Sequence, residues 1–256
     1  MASIETSLTR SLAHTQAHQT HTYNTMRLIG LTGSIACGKS TLLQRFREHG
    51  IVTINADEVS HQLMQPGQSV YRAVVKHFGT EILDAQTRGI DRDKLGAIVF
   101  HDKNKLRELE RLTHRPIMLE MARQVLVCSL RRTRLVVLEL PLLFKIGAQA
   151  VMPALVVYVS ADEQLKRLMA RNSLTRDEAE RRIALQLPIE QQLRLADFTF
   201  DNSAALDEAA VRRCIEQLST TRLPRAFLFD AIVWSTILGV MIAAFFAARA
   251  VWHLVA

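Results

Sequence analysis

The stretch Gly33-Ser34-Ile35-Ala36-Cys37-Gly38-Lys39-Ser40, followed by Thr41, constrains this chain more than any other feature. It fits the spacing GxxxxGK[ST]. A short apolar run, Arg27-Leu28-Ile29-Gly30-Leu31-Thr32, leads into it, and helical periodicity follows from about Ser40 to His49. Strand, loop and helix in that order are the context in which such a loop holds phosphate. Glycines let the backbone close around phosphate oxygens, while successive N–H groups and the helix N-terminus supply positive field. In this pattern Lys39 reaches the outer phosphates of ATP or another triphosphate, and the Ser40 hydroxyl ligates Mg²⁺. The spacing is not GxGxxG, so a dinucleotide site is not indicated. Nor is a guanine-reading NKxD, because Asn104-Lys105-Leu106-Arg107 fails at its last position.

A loop of this kind sits at the edge of a parallel sheet, and the sequence has the strands for one. Ile51–Ile54, Leu135–Leu140 and Ala154–Val159 are short apolar runs, the last two nearly continuous, as strands covered on both faces are. Asp197–Asp201 is a candidate last strand. Residues 56 to about 132 are mostly helical in pattern, broken at Pro66-Gly67, Gly79 and Thr87-Arg88-Gly89, and further helices are expected around 162–171, 175–186 and 204–218. The alternation predicts an α/β domain with a mainly parallel sheet flanked by helices.

Composition agrees with one such domain plus an appendage. At 256 residues, 48% hydrophobic and 22% charged, the chain is too apolar for disorder and too charged for a multi-span membrane protein. Cys37, Cys128 and Cys214 are scattered without CxxC or metal-ligand spacing, so neither a disulfide framework nor a zinc site is expected, and a reducing compartment fits best. The net charge of +7 suits polyanionic partners such as phosphorylated metabolites or an anionic membrane, or is simply solvated surface. No basic stripe interleaved with aromatics appears, so nucleic acid is not expected as a partner.

Both ends differ from the middle. Residues 1–25 are rich in Thr, Ser and His, carry only Glu5 and Arg10 as full charges, and lack an apolar core for a secretory signal. They read as a disordered leader, or as sequence upstream of a true start at Met26. Near the other end, the eighteen residues Ala231 to Ala248 carry no full charge. As a helix they would span about 27 Å, close to the apolar thickness of a bilayer. Arg222 and Arg225 precede the run, Arg249 follows it, and Trp234 and Trp252 lie near its ends, as interfacial anchors do. A buried core helix or an oligomer helix is the alternative. The run is polar on no face and follows a complete domain, so residues 223–256 are expected to be a C-terminal transmembrane anchor. Such a tail leaves the catalytic domain facing the cytosol, and the mitochondrial outer membrane and the endoplasmic reticulum both suit it.

After the second strand comes Asn55-Ala56-Asp57. A carboxylate at the carboxyl end of a strand beside the phosphate loop can take a proton from an acceptor hydroxyl or help hold the metal. Asp57 can also belong to the cap of the following helix, and the two roles are compatible.

In this order and spacing the sequence resembles the dephospho-CoA kinase family over roughly Met26 to Leu218. The pieces are LTGSIACGKST (31–41), NADEVSHQLMQPG (55–67), LTHRPI (112–117), LELPLLF (138–144), QLKRLMARNSLTRDEAERRIALQ (164–186) and DFTFDNS (197–203). The C-terminal run resembles that of the animal form of the family. The resemblance implies a P-loop kinase fold over 26–222, with a CoA-binding helical region at about 57–132 and a lid at about 165–190. It implies transfer of the γ-phosphoryl group of ATP, with Mg²⁺, to the ribose 3′-hydroxyl of dephospho-CoA. Carried over by position, Gly33 to Thr41 is the ATP loop, Asp57 the candidate base, and Arg171 a lid arginine facing the transferred group. His114 falls in the substrate-binding helical region, Pro141, Leu142 and Leu143 line the acceptor site, and Asn202 lies near the adenine.

Four positions depart from the family pattern: Asn55 replaces the first Asp of DAD, His61 an Arg, Arg115 the Pro of HP, and Lys145 the Glu of PLLFE. They leave two alternatives in view, a kinase for another small hydroxyl or nucleotide acceptor, and a membrane-tethered nucleotide-binding scaffold with little activity. Among single residues, His114 can instead be a core histidine, and Arg167 with Arg171 a solvated helix face. Cys37 reads as a plain small residue of the loop or, at a helix N-terminus, as one whose thiol is expected to be somewhat acidic and oxidisable.

Overall fold

The computed structural model describes residues 26–99, 101–204 and 206–221. The expected leader at 1–25 and the expected anchor at 223–256 lie outside these residues. Among the described residues no helix is long and apolar enough to cross a membrane.

Five strands form one sheet: β1 (Arg27–Gly33), β2 (Val52–Asn55), β3 (Leu135–Glu139), β4 (Ala154–Tyr158) and β5 (Phe198–Asp201). The order is β2-β3-β1-β4-β5 and every pairing is parallel. Parallel neighbours need crossovers, and the helices supply them. They are α1 (Lys39–Glu48), α2 (Ala56–Leu63), α3 (Ser69–Phe78), α4 (Arg92–Val99), α5 (Lys103–Leu130), α6 (Ala161–Asn172), α7 (Arg176–Ala184), α8 (Ile189–Leu195) and α9 (Glu208–Thr220). Because side chains alternate along a strand, β1 and β3 feed two cores at once. Ile29, Leu31, Leu135 and Val137 pack with Leu42, Leu43 and Phe46 of α1 and Val211 and Leu218 of α9. Leu28, Val136 and Leu138 face the other way, onto Val59 of α2 and Met121 and Val125 of α5.

A third core lies off the sheet, where Val70, Val74 and Phe78 of α3 meet Leu95 and Val99 of α4. Leu106, Leu109 and Leu112 of α5 close it. At 28 residues, α5 is therefore shared, its first half in the helical lobe and its second half on the sheet. Asp102 starts it by accepting from Asn104 N at 2.8 Å, and Pro116 sits within it. At the base of the sheet, Arg27 Nη1 donates to Leu218 O (3.2 Å) and Thr221 O (2.6 Å), pinning the end of α9 to the start of β1.

Two expected boundaries shift for local reasons. The helix expected over 204–218 starts at Glu208, because Asp207 caps it by accepting from Ala209 N. The helix expected over 175–186 ends at Ala184, and α8 follows as a separate piece. Pro188 stands between them, and its lack of an N–H and fixed φ suit a helix start rather than a continuation.

Candidate active site

The phosphate loop leaves the carboxyl end of β1 and enters α1, with the conformation its glycines permit. Gly33 (φ 148) and Gly38 (φ 84) both have positive φ. A Cβ at Gly33 would lie 2.1 Å from Val157 O, and one at Gly38 would lie 2.2 Å from Asn202 Nδ2. These are steric requirements for glycine as well as conformational ones. Ala36 is also left-handed, at φ 61. Where α2, α6, α7 and α9 each begin with a capping side chain (Asn55, Ser160, Thr175, Asp207), α1 has none and no acidic residue in its first turn. A helix start left open in this way, with Lys39 and the exposed Ser40 on its first turn, suits an anion. Lys39 Nζ donates to Gly33 O (2.8 Å) and Ser34 O (2.9 Å), so its ammonium lies over the loop. Thr41, next along, is exposed.

Three glutamines, one on α6, one on α8 and one just after α7, grip the loop through neutral amides. Gln186 Oε1 accepts from Ile35 N at 2.7 Å, and Gln164 Nε2 donates to Ile35 O at 3.0 Å. The buried Gln192 Nε2 donates to Ser34 Oγ at 3.2 Å. On the far side Asn202, also buried, donates from Nδ2 to Cys37 O at 2.9 Å. Asn202 is thus a strut behind the loop. Arg167 bonds Asn202 O at 3.0 Å and Glu163 Oε1 at 2.7 Å, and its Nη1 lies 3.7 Å from where a Gly38 Cβ would be. Arg171 is not brought to the loop. It is exposed, and its Nε donates to the neighbouring Asn172 Oδ1 at 3.0 Å. The guanidinium at the loop is therefore that of Arg167, one helical turn earlier, and not the expected Arg171; the alternative of a solvated face fits Arg171 and fails for Arg167. Cys37 also departs from expectation: it is 1% exposed, and burial raises its thiol above the ordinary range despite Lys39 nearby.

Asp57 is exposed on the first turn of α2, beside the carboxyl end of β2. Its N–H and that of Glu58 donate to Asn55 Oδ1 at 2.7 and 3.1 Å. Asn55 is therefore the cap, and Asp57 keeps its carboxylate free of that duty. Glu139 ends β3, level with Leu31 of β1 and Asn55 of β2. Burial raises its carboxyl above the ordinary range, Lys39 pulls it down, and Asp57 and Glu58 push it up, so Glu139 lies within the field of Lys39 and Asp57, two of the three predicted catalytic residues. Among the described residues no group of three metal-ligating side chains converges. The predicted Mg²⁺ ligand Ser40 is exposed on the first turn of α1.

In the helical lobe, a cleft of about 440 Å³ opens between the start of α3 and the middle of α5. Leu63, Pro116 and Leu119 give it apolar walls, and Arg115, Glu120 and Arg123 a charged rim. Arg123 and Gln124 hydrogen-bond Glu120 and hold its carboxyl at about 2. His114 is exposed next to this cleft, so it is no core histidine. Pro141 and Leu142 are exposed after β3, where Thr32 Oγ1 donates to Pro141 O at 3.4 Å. Leu143 is corrected: it is wholly buried in the sheet core against Gly30 and cannot touch an acceptor.

The family model for dephospho-CoA kinase matches residues 27–208. The chain belongs to the dephospho-CoA kinase family. It is 41% identical to the dephospho-CoA kinase of Carboxydothermus hydrogenoformans over 70% of this chain and 87% of that one. It is 40% identical to a dephospho-CoA kinase domain-containing protein of Danio rerio over 72% of this chain and 80% of the relative. The solved dephospho-CoA kinase from Campylobacter jejuni superposes with a TM-score of 0.58 at 29% identity, covering 75% of this chain and 96% of that one.

Three of the four departures from the dephospho-CoA kinase pattern lie on the surface of the helical lobe or the loop after β3. His61 is held between Arg92, whose Nη2 lies 2.8 Å from its Nδ1, and Gln65. Arg115 lines the cleft, and Lys145 is exposed. The fourth, Asn55, is internal to the site. Sequence reasoning missed Glu139 and the three glutamines at the loop, Gln164, Gln186 and Gln192. Glu139 stands inside the quoted segment LELPLLF, so a polar residue in an otherwise apolar strand was the available signal.

Proposed function

We propose that this protein transfers the γ-phosphoryl group of ATP to the ribose 3′-hydroxyl of dephospho-CoA, yielding CoA and ADP. The observation that carries the reading is the match across 27–208 to the dephospho-CoA kinase family, in a chain whose own loop leaves an uncapped, positively charged helix start. Lys39 and the α1 N-terminus draw the triphosphate into the loop, and Ser40 is the residue that would hold Mg²⁺, which supplies charge neutralisation between phosphates. Asp57 accepts the proton of the attacking hydroxyl, oriented by the first turn of α2. Arg167 supports the nucleotide at the loop, and Arg171 reaches the transferred group when the lid closes over it. The cleft beside Arg115 and Arg123, apolar within and cationic at its rim, supports a role in holding the acceptor's long arm and phosphates. The run 231–248 supports a tail anchor, with the kinase domain facing the cytosol from the mitochondrial outer membrane or the endoplasmic reticulum.

Incubating the purified chain with Mg-ATP and a panel of acceptors tests this, with Lys39→Ala as the blank. CoA should form from dephospho-CoA alone. Phosphorylation of a different acceptor instead, or nucleotide binding without turnover on any, would overturn the reading. A fluorescent fusion should lose its membrane pattern when residues 223–256 are deleted, and an unchanged pattern would remove the anchor.

A further inference from the structure

Among the described residues, Glu139 is the one carboxylate, amine or guanidinium that is buried, at 6% exposure. A carboxylate taken from water needs hydrogen bonds in exchange, and Asn55 Nδ2 donates one to its Oε2. The same carboxamide turns its oxygen toward the N–H groups of Asp57 and Glu58. Glu139 and Asn55 are neighbours in register across β3 and β2, so the bond runs straight across the carboxyl edge of the sheet. The amide can serve both ends because it carries a donor and an acceptor on one rigid group. Without a partner on its nitrogen, the Asn55 side chain could turn over and offer NH₂ to the helix, where only an acceptor is useful.

Building on the dephospho-CoA kinase reading, we propose that Glu139 and Asn55 form a positioning pair. Glu139 locks the orientation of the Asn55 carboxamide, and the carboxamide fixes the first turn of α2, which carries Asp57. In this proposal both act through Asp57. The family's Asp at position 55 is replaced here by the residue type that can bridge the two groups.

The pair can be inverted without changing its total charge. Asp caps a helix about as well as Asn, so Asn55→Asp preserves the cap but sets two carboxylates against each other. In the double variant Asn55→Asp/Glu139→Gln, the new glutamine donates to the new aspartate and the bond returns with its direction reversed. The test measures kcat and KM for both substrates in wild type, the two single variants and the double variant, all as full chains. Asn55→Asp should lower kcat by ~10- to 100-fold, as a coupled close pair does, with KM for ATP within ~2-fold. Glu139→Gln alone should lose ~3-fold in kcat, because its bond to Asn55 survives without charge assistance. The double variant should recover to within ~3-fold of Glu139→Gln, since the coupling is restored. Asn55→Asp with wild-type kcat, a double variant no better than Asn55→Asp, or a Glu139→Gln variant as inactive as Lys39→Ala would each overturn the pair. A wild-type chain that makes no CoA would instead overturn the functional reading.

Discussion

Single side chains decide what this site can do, because each is held in place by a bond that can be named. Lys39 hangs over the loop on two carbonyls, and Asp57 stands clear of the cap that Asn55 provides. Lys39→Ala and Asp57→Ala should each lower turnover at least ~100-fold while leaving the fold intact, as read by steady-state rates beside circular dichroism. Cys37 is expected to be inert. Buried, with its thiol raised above the ordinary range, it should react with iodoacetamide far more slowly than the partly exposed Cys128. Peptide mapping after brief alkylation at neutral pH would show this, and rapid labelling of Cys37 would contradict it. Glu139 gives a pH dependence whose sign can be worked out. Its folded-state value is raised, so its stabilising contribution is present below the ordinary glutamate range and is lost as pH rises through the raised value. Glu139→Gln should therefore increase Tm near pH 7.5, and the gain should shrink as the medium is acidified toward that range. A constant gap at all pH values would contradict the assignment.

At the level of elements, α6 carries two arginines one turn apart with different surroundings. Arg167 is tied to Asn202 and Glu163 behind the loop, whereas Arg171 is exposed beyond it. Arg167→Ala should raise KM for ATP, because it loosens the strut that backs the loop. Arg171→Ala should lower kcat with little change in ATP affinity, as a contact made only on lid closure does. Equal effects of both on KM alone would show that the lid arginine acts through binding. The elements themselves were largely legible in the sequence. Val136-Val137-Leu138 and Leu155-Val156-Val157 read as doubly covered strands because they are, and Thr175 opens the helix expected from it, whereas Asp102 and Asp207 start helices whose expected bounds ran past them. What stayed illegible is long-range pairing. Gln186 meets Ile35 across 151 positions and Asn55 meets Glu139 across 84, and no local pattern encodes either. Leu143 misled for the opposite reason, since a motif segment alternates between exposed and buried residues and only packing tells which is which.

At the largest scale, a sheet with a core on each face and a helical lobe with a core of its own are joined through one long helix. The helical lobe buries its own cluster around Val74 and Ile82, and α5 carries it to the sheet. A lobe with its own core can tilt as a unit against a rigid sheet, which is how an acceptor could be brought to a phosphate held still in its loop. The cleft lies where Pro116 interrupts the hydrogen-bond ladder of α5, the one place along that helix where bending costs least. At the opposite pole, Arg27 clasps the final turn of α9 at the start of β1. That clasp and the loop glycine stand at opposite ends of β1, from Arg27 to Gly33, about 20 Å apart at the usual rise. Thr221, where the described residues end, therefore lies at the rear of the domain, and a polypeptide continuing from it starts at that pole. If that polypeptide is tethered to lipid, the catalytic mouth is turned outward, and ATP and its acceptor arrive from open water without threading between protein and headgroups.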